Sequence, residues 1–287
     1  ISCSYSTGMV DVNLFTGGFV GLNLGGWVYE CFWDSETSGK TQSGGGTGLN
    51  TTQMKDISIY QDAGWAYKGW VINDGLDYPR FEWEGAGGTP IPAVSNINLL
   101  GSGTAEDPYE VWTAEELASL SRYDLIFDKH IRLMSDIDAA GFDIYPIGGM
   151  KPFAGTFDGN GHIIRNMHIN QATSCYVGLF GRTGAGAVIK NLGIQDANIA
   201  GGDYVGGLIG RNSGGSISKC FCDAEITGFS YAGGLIAYND GDVNNSYASG
   251  KLTVFDTNEA DSYSGGFIGD SNSGTVINCY STNLVVG

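Results

Sequence analysis

The stretch Gly206-Gly207-Leu208-Ile209-Gly210 decides the fold, because the chain repeats it. Related copies begin at Gly17, Val177, Gly233 and Gly265 and read Gly-Gly-Phe-Val-Gly, Val-Gly-Leu-Phe-Gly, Gly-Gly-Leu-Ile-Ala and Gly-Gly-Phe-Ile-Gly. From the copy at Val177 onward, the central Leu or Phe recurs after 29, 27 and 32 residues. A period of this length is typical of a solenoid, in which each unit buries its apolar face against the next.

A second phrase follows the first in each repeat and ends in small and aromatic residues. Its copies are Ile189–Ile194, Ser218–Cys222, Asn244–Ala248 and Ile277–Ser281, with partial copies at Ser2–Ser6 and Glu30–Trp33. These runs are too short, and too rich in Gly, β-branched and aromatic residues, for helices. Two short strands and two Gly-rich turns per repeat predict an all-β chain built as a β-solenoid.

The phrases resemble the GLUG repeat, named for its Gly-Leu-any-Gly core, which occurs in large bacterial surface and secreted proteins, including adhesins and some IgA-cleaving proteases. The resemblance covers residues 1–33 and 175–287. Residues 31–84 resemble the C-terminal cap that closes a GLUG β-helix, and residues 101–170 resemble the N-terminal cap that opens one. The resemblance implies a right-handed parallel β-helix with short capping helices, and the general right-handed crossover rule supports that hand.

The domain organisation follows from the order of these parts. Residues 1–84 are expected to be the end of one GLUG-type β-helix with its C-terminal cap, and residues 85–98 a Gly- and Pro-containing linker. Residues 99–287 are expected to hold the N-terminal cap and the coils of a second GLUG-type β-helix. This order, closing cap before opening cap, predicts a fragment of a longer array or one period of a tandem array.

The closing cap has an unusual density of aromatic residues. Residues 50–55 predict a short helix that places Met54 and Ile57 over the end of the solenoid. The aromatic residues that follow are Trp65, Tyr67, Trp70, Phe81 and Trp83. They either plug the open end of the solenoid, which we favour, or form a platform that binds carbohydrate.

The opening cap contains a second predicted helix, over residues 113–120. Thr113 is its N-cap, and Glu116 completes a capping box three residues later. Leu117 and Leu120 are expected to pack onto the first coil. Beyond this helix, alternation of apolar and polar residues predicts strands at 131–134 and 162–169.

Composition limits the partners. The chain has 14 basic and 31 acidic residues, a net charge of −17, so nucleic acid and anionic lipid surfaces are disfavoured. No run of 18 apolar residues is present, so no membrane insertion is expected. The charge does favour solubility and the binding of divalent cations.

The six cysteines do not form an evident disulfide framework. Cys31, Cys220 and Cys279 share a repeat column with Leu192 and Ser246, and a column that accepts these residues is an inward-facing core position. Buried free thiols are therefore expected.

Two groups of residues are candidate sites. Strand alternation places outside the coils two aromatic columns that could contact sugars or a neighbouring molecule, comprising Tyr5, Phe32, Phe221, Tyr247 and Tyr280. The alternatives are that another part of the module covers these rings or that the inside and outside assignments are reversed. A weak Ca²⁺ site is predicted from Asp136, Asp138, Asp143 and Asp158, and a second from the acidic residues at 256–261. The alternative for the first is a solvated acidic turn whose side chains cap backbone amides.

A column of asparagines precedes the core position of the second phrase. Asn191, Asn245 and Asn278 occupy it, and Lys219 interrupts it. Such a column predicts a ladder of side-chain amides at a turn, each bonded to the next. The alternative is three independently solvated turn residues.

Catalytic patterns are weak. The three histidines, His130, His162 and His168, form no zinc-protease pair on a helix. A β-helix lyase or hydrolase would need a groove with two carboxylates beside an arginine, for which Arg132, Arg165 and Arg182 are available.

The sequence thus predicts a non-catalytic structural module of a long extracellular or cell-surface protein or matrix. End-to-end repetition would build a fibre, with other copies or neighbouring modules as partners. The alternatives are an adhesin module that binds glycan or a host protein, and a polysaccharide lyase or hydrolase.

Overall fold

The chain divides into two compact units, Ile1–Ile97 and Asn98–Gly287. A computed structural model describes residues 1–11, 16–23, 28, 30–63, 65, 69–85, 87–91, 99–149, 151–171, 174–255 and 262–287. The described residues form mainly short strands, with few helices, so the all-β prediction is confirmed. The acidic residues at 256–261 and Tyr67 lie outside the described residues, as does most of the expected linker.

Unit 1 combines a parallel sheet with a small antiparallel one. Its strands are β1 (Tyr5–Ser6), β2 (Phe32–Asp34), β3 (Thr47–Leu49), β4 (Trp70–Ile72), β5 (Arg80–Phe81) and β6 (Thr89–Pro90). Its helices are α1 (Ser35–Ser38), α2 (Ile57–Asp62) and the 3₁₀ turns Gln53–Lys55 and Glu82–Glu84. Strands β1, β2 and β3 pair in parallel in that order, whereas β4 pairs antiparallel with β5 and β6.

The aromatic residues of the closing cap build the core of unit 1. Met54, Tyr60 and Trp65 are fully buried, and Trp65 donates its Nε1–H to the carbonyl of Glu30 over 2.9 Å. Burying an indole with its N–H satisfied is favourable because the ring leaves water without losing a hydrogen bond. The burial that a plug requires is therefore present at Trp65, whereas Trp83 is exposed.

Unit 2 is built almost entirely of strands. Its helices are α3 (Ala114–Ser119) and the 3₁₀ turns Leu120–Arg122 and Asp124–Ile126. The strands of its first part are β7 (Tyr109–Val111), β8 (His130–Leu133), β9 (Ile137–Asp138), β10 (Thr156–Asp158), β11 (Ile163–Arg165), β12 (His168–Gln171), β13 (Phe180–Thr183), β14 (Val188–Lys190) and β15 (Gly193–Gly201). The two repeats that follow contain β16 (Val205–Gly206), β17 (Ile209–Asn212), β18 (Ser216–Ser218), β19 (Phe221–Gly228), β20 (Tyr231–Gly233), β21 (Ile236–Asn239), β22 (Asp242–Asn244) and β23 (Tyr247–Val254). The last repeat contains β24 (Tyr263–Gly265), β25 (Ile268–Ser271), β26 (Val276–Ile277), β27 (Tyr280–Ser281) and β28 (Leu284–Val286).

These strands form four sheets in which corresponding strands of successive repeats pair in parallel. The first sheet has the order β7-β8-β10-β14-β18-β22-β26. The second has the order β9-β11-β15-β19-β23-β27, with β12 on β15 and β28 on β23. The third is β13-β17-β21-β25 and the fourth β16-β20-β24. Each repeat therefore contributes one strand in turn to the fourth, third, first and second sheets.

The pairing register equals the sequence repeat. In the third sheet Phe180 pairs with Ile209, Ile209 with Ile236, and Ile236 with Ile268. These steps match the spacing of the Gly-Leu phrase, and the apolar residues Leu179, Leu208 and Leu235 beside them are fully buried. The repeat read from the sequence is therefore the structural repeat.

The first glycine of the phrase is required by a close approach of the backbone. A Cβ on Gly206 would overlap the carbonyl oxygen of Ile209, and one on Gly233 would overlap that of Ile236. Because the obstacle is backbone within the same tight bend, no side-chain rotation can relieve it.

The helix predicted over residues 113–120 forms as α3. Thr113 accepts a hydrogen bond from the amide of Glu116, whose carboxylate accepts one from the amide of Thr113, so the capping box is complete. Leu117 and Leu120 are buried. This helix shields apolar side chains at the first strands of unit 2.

The interior of unit 2 holds a polar ladder that sequence analysis missed. Thr183 donates to Asn212 over 2.7 Å, Asn212 to Asn239 over 2.8 Å, and Asn239 to Ser271 over 3.4 Å. Asn212 also closes its own turn by accepting from the amide of Gly215 and donating to its carbonyl. Polar groups with this many partners can be buried without a large penalty.

The predicted asparagine ladder forms in part. Asn278 donates to Asn245 over 3.3 Å, whereas Asn191 donates to Asp158. Asn191, Lys219, Asn245 and Asn278 have φ of 54°, 54°, 51° and 57°. The shared property of the column is therefore a left-handed corner, which asparagine tolerates better than most residues.

Candidate functional site

Three residues of the predicted aromatic columns form a continuous stack on the second sheet. Phe221 pairs in register with Tyr247, and Tyr247 with Tyr280. The ring centroids of Phe221 and Tyr247 are 5.0 Å apart with planes inclined by 3°, and those of Tyr247 and Tyr280 are 5.1 Å apart and inclined by 6°. Each ring covers a face of the next, so the stack presents ring edges along its length. Tyr280, which is 58% exposed, presents a ring at its end.

The corresponding column of unit 1 corrects the sequence analysis. Phe32 is only 8% exposed and belongs to the core of that unit. Tyr5 packs against this core, stacks on Tyr78 at 6.1 Å, and donates its hydroxyl to the carbonyl of Pro79 over 2.6 Å. The closing cap lies over both residues, so the prediction that Phe32 is exposed is wrong.

A second aromatic stack, which sequence analysis missed, runs along unit 2. It comprises Tyr176, Tyr204, Tyr231 and Tyr263, with successive centroid distances of 4.7, 4.3 and 5.2 Å. The signal was a Tyr two residues before a Gly of each Gly-Leu phrase. Tyr176 and Tyr204 have φ of 57° and 58°, a conformation that costs a bulky residue free energy.

A row of arginine and tyrosine side chains lies beside this stack. Arg182 pairs in register with Arg211, and Arg211 with Tyr238. The Arg211 guanidinium lies 4.9 Å from the centroid of the Tyr238 ring, and the Arg182 guanidinium lies 5.7 Å from that of Tyr176. Tyr238 in turn meets Tyr204 edge-on at 6.2 Å. We call the surface formed by Tyr176, Tyr204, Tyr231, Tyr238, Arg182 and Arg211 the tyrosine–arginine face.

Two side chains of this face, Tyr204 and Arg211, have pKa values shifted by their surroundings. Burial, together with neighbouring Tyr231 and Tyr176, raises the pKa of Tyr204 to about 12. Burial lowers the pKa of Arg211, but its hydrogen bond to Tyr176 and the nearby Asp240 more than offset this and raise it above its ordinary value. At neutral pH Tyr204 is therefore an uncharged hydroxyl group and Arg211 a charged guanidinium group.

The four aspartates of the predicted Ca²⁺ site are not gathered around a common point. Asp136 binds the Arg165 guanidinium over 2.9 Å, and Asp138 accepts from the side-chain amide of Asn166 over 2.9 Å. Asp158 accepts from Asn191 over 3.0 Å. Among the described residues no group of three His, Cys, Asp or Glu side chains is placed to hold a metal ion. The structure does not bring these aspartates together as the predicted Ca²⁺ site, because their carboxylates pair with an arginine or accept hydrogen bonds from asparagine side chains.

The fourth aspartate, Asp143, lines a shallow depression with His168. The depression has a volume of about 240 Å³ and is also lined by Ile144, Tyr145, Asn170 and Gln171. Asp143 and His168 lie on neighbouring backbone segments joined by a parallel bridge. A polar hollow of this size can admit water and small polar groups.

The arginines considered for lyase chemistry are engaged in different ways. Arg165 and His162 both contact Asp136, with the His162 Nδ1 atom 3.2 Å from the carboxylate. The Arg132 Nε atom lies 4.0 Å from Asp158, which the Lys190 ammonium also approaches to 3.5 Å. Arg182 belongs to the tyrosine–arginine face. Each of the two carboxylates thus neutralises cations on a strand surface rather than facing the other across a groove.

The comparison with known families agrees with the repeat. Residues 201–227 and 230–254 match the family model described as the GLUG motif. These segments coincide with two successive coils of unit 2. The chain contains GLUG repeats.

Relatives of this GLUG-repeat protein are much longer. Halomucin from Haloquadratum walsbyi is 34% identical over 228 residues, which cover 66% of this chain and 2% of halomucin. A protein of Evansella cellulosilytica described as a Gly-rich membrane protein is 34% identical over 139 residues, covering 42% of this chain and 15% of that protein. The chain therefore spans a small part of the length of these curated relatives.

A solved structure is also similar in part. It is named for an immunoglobulin A1 protease from Bacteroides ovatus and is 20% identical in sequence. The match has a TM-score of 0.39 and covers 64% of this chain and 79% of that one.

Proposed function

We propose that this GLUG-repeat protein is a non-catalytic structural module of a long extracellular or cell-surface protein, and that its coils form a right-handed parallel β-helix. The order in which each repeat visits the four parallel sheets supports a helical path of the chain. The hand follows from the general preference of parallel crossovers. The names of the relatives, a mucin and a membrane protein, support a location at the cell surface.

We further propose that modules continue end to end and build a fibre. The observation that carries this proposal is the apolar face of the last described coil. Val276 pairs with Val243, and Val285 with Leu252; Val243 and Leu252 are 1% and 0% exposed, whereas Val276 and Val285 are each 44% exposed. A further coil that stacks on this face would bury both valines, and each such side chain contributes about 1.5–3 kcal/mol when fully buried.

Strand β1 of unit 1 has the matching local geometry. Tyr5–Ser6 of β1 follows a left-handed corner at Cys3, as Tyr280–Ser281 of β27 follows one at Asn278. A second copy is thus proposed to place β1 on β27 in parallel, with Tyr5 in register with Tyr280. The same register already joins Tyr5 to Phe32 and Tyr247 to Tyr280 within the chain.

The absence of a catalytic role is supported by the surroundings of the acidic residues. Asp136 and Asp158 are each ion-paired with an arginine, so neither is a free general base. Among the described residues no helix is long and apolar enough to cross a membrane.

Sedimentation velocity over a range of concentrations, with electron microscopy of the same samples, tests the fibre. The expected result is a series of rods that lengthen with concentration. Val285→Asp introduces a charge into the stacking face and should give single rods at every concentration. Asn198→Asp, which adds the same charge to an exposed side of β15, is the matched control and should assemble like the unmodified chain. Single rods from the unmodified chain at high concentration would contradict end-to-end association of copies.

A further inference from the structure

The tyrosine–arginine face has no part in the stacking of modules, because it lies along the coils rather than at their end. Two arginines occupy neighbouring positions on adjacent coils in a chain with only 14 basic residues. Parallel strands bring such positions to about 4.8 Å in the backbone, and like charges placed directly opposite each other repel. An anion bound between the coils would remove this repulsion.

The surroundings of Arg211 make it a binding group rather than a surface charge. Its guanidinium lies 4.9 Å from the centroid of the Tyr238 ring, and its Nε–H is buried without a hydrogen-bond partner within the described protein. An unsatisfied buried donor costs about 1–3 kcal/mol. A guanidinium positioned by an aromatic ring is preorganised to offer its terminal N–H groups to a carboxylate or sulfate.

The tyrosine stack determines what else the ligand must offer. Because the rings of Tyr176, Tyr204 and Tyr231 cover one another, they present hydroxyl groups and edges at each coil and leave few faces for a sugar to stack on. The face therefore suits a partner rich in hydroxyl groups with a repeat near the coil spacing. An extended polysaccharide advances by a similar distance with each sugar.

We propose that the tyrosine–arginine face of unit 2 binds an acidic polysaccharide, with Arg211 receiving a carboxylate or sulfate group and the tyrosine hydroxyls bonding to neighbouring sugars. The strain at Tyr176 and Tyr204, which adopt the left-handed conformation, agrees with a surface shaped for a ligand. Polysaccharide binding by this face does not depend on the proposed end-to-end stacking of modules, and either can occur without the other.

The neighbouring acidic groups do not prevent an anionic ligand from binding at Arg211. Asp240 follows Tyr238 by two residues, and its carboxylate accepts hydrogen bonds from Asn272 over 3.2 Å and Ser273 over 3.3 Å. Asp270 pairs in register with Tyr238 and so lies one coil beyond it, two coils from Arg211. The net charge of −17 acts at long range, where salt at 0.15 M screens it beyond about 8 Å.

Binding is tested by titrating the purified chain at this salt concentration with polygalacturonate, dextran sulfate and uncharged dextran, using isothermal calorimetry. Polygalacturonate binding alone would identify a carboxylate as the ligand group, and dextran sulfate binding alone a sulfate. The expected result is binding of at least one acidic polymer and no binding of dextran. Equal binding of dextran, or no binding of either acidic polymer, would overturn the proposal.

Three variants locate the site. Arg211→Gln should weaken binding about tenfold or more, because it removes a charge-assisted hydrogen bond. Arg211→Lys keeps the charge but not the paired N–H groups, and should fall between Arg211→Gln and the unmodified chain. Arg165→Gln, the same change on the second sheet, should bind normally.

Normal binding by Arg211→Gln would exclude this face as the site. Each variant is first compared with the unmodified chain in thermal unfolding, and Arg211→Lys serves as the decisive variant where Arg211→Gln does not fold.

Discussion

At the scale of single residues, the Gly-Leu phrase is explained by backbone contacts rather than by flexibility. In Gly206 and Gly233 the place of a Cβ is taken by the carbonyl oxygen three residues later. The repeat therefore demands glycine because the chain bends back on itself there. This accounts for glycine at Gly206, Gly233 and Gly265, whereas the copy at Val177 begins with valine.

Replacing Gly233 with Ala should destabilise the protein by about 1–3 kcal/mol, because the added methyl group forces the bend open and strains the packed coil. Gly149→Ala is the matched control, since nothing lies within 4 Å of a Cβ there and its backbone is not left-handed. Denaturant unfolding followed by circular dichroism measures both. Equal midpoints for the two variants would show that the bend has room for a side chain.

The reactivity of the cysteines tests whether Cys220 and Cys222 face the core. Cys220 and Cys222 are buried, and burial raises the pKa of the Cys220 thiol to about 12 and that of Cys222 further, so neither forms a thiolate near pH 8. Cys3 and Cys279 are half-buried. We expect an aromatic disulfide reagent to label these two rapidly in the native chain and all six after unfolding, as read by mass spectrometry. Rapid labelling of Cys222 in the native chain would contradict the core assignment.

At the scale of elements, the ion pairs of the opening cap tie neighbouring strands together. Asp136 accepts from the Arg165 guanidinium, the Ile163 amide and the His162 ring, and these hydrogen bonds lower its pKa to about 2 from 3.8. A carboxyl group whose pKa is lower in the folded state stabilises that state above its unfolded pKa and loses this effect as the pH falls through the folded value. The contribution of Asp136 should therefore disappear between about pH 4 and pH 2.

The measurement is the denaturant midpoint at pH 5, 3 and 2 for the unmodified chain and for Asp136→Asn. Other carboxyl groups with lowered pKa values, such as Asp158 and Asp242, will make both proteins less stable in acid. The unmodified chain should lose more than the variant over this window, so that the two midpoints converge. Parallel curves would mean that Asp136 has the same pKa in the folded and unfolded states.

Sequence alone was sufficient wherever a repeat or a local capping rule sets the structure. The phrase spacing predicted the pairing of Leu-bearing strands, and Thr113 with Glu116 predicted the helix of the opening cap. Sequence analysis failed where the exposure of a residue depends on a segment that is distant in the sequence and packs over it. Phe32 has the same place in its phrase as Tyr280, yet a distant segment covers it and leaves Tyr280 exposed.

The two features that were missed also have physical reasons. Asn212 and Asn239 stand in turns rich in glycine and serine, where a surface position is the usual expectation, and only the coil register turns them inward to bond each other. The tyrosine–arginine face joins residues of two sheets, and a single repeat phrase does not indicate which columns become neighbours. Tyr204 and Tyr231 could have been found from their constant offset to the Leu of the Gly-Leu phrase.

At the scale of the whole molecule, charge and apolar surface act against each other in the proposed assembly. Copies with a net charge of −17 repel, while the exposed Val276 and Val285 of the last coil favour stacking. Raising the salt concentration screens the repulsion and leaves the apolar contribution in place, so self-association should strengthen several-fold between about 0.05 and 0.5 M NaCl. Sedimentation equilibrium at the two concentrations measures this, with Val285→Asp expected to stay monomeric in both. Association that weakens with salt would instead indicate an interface made by ion pairs, and the apolar coil end would then not be the contact between copies.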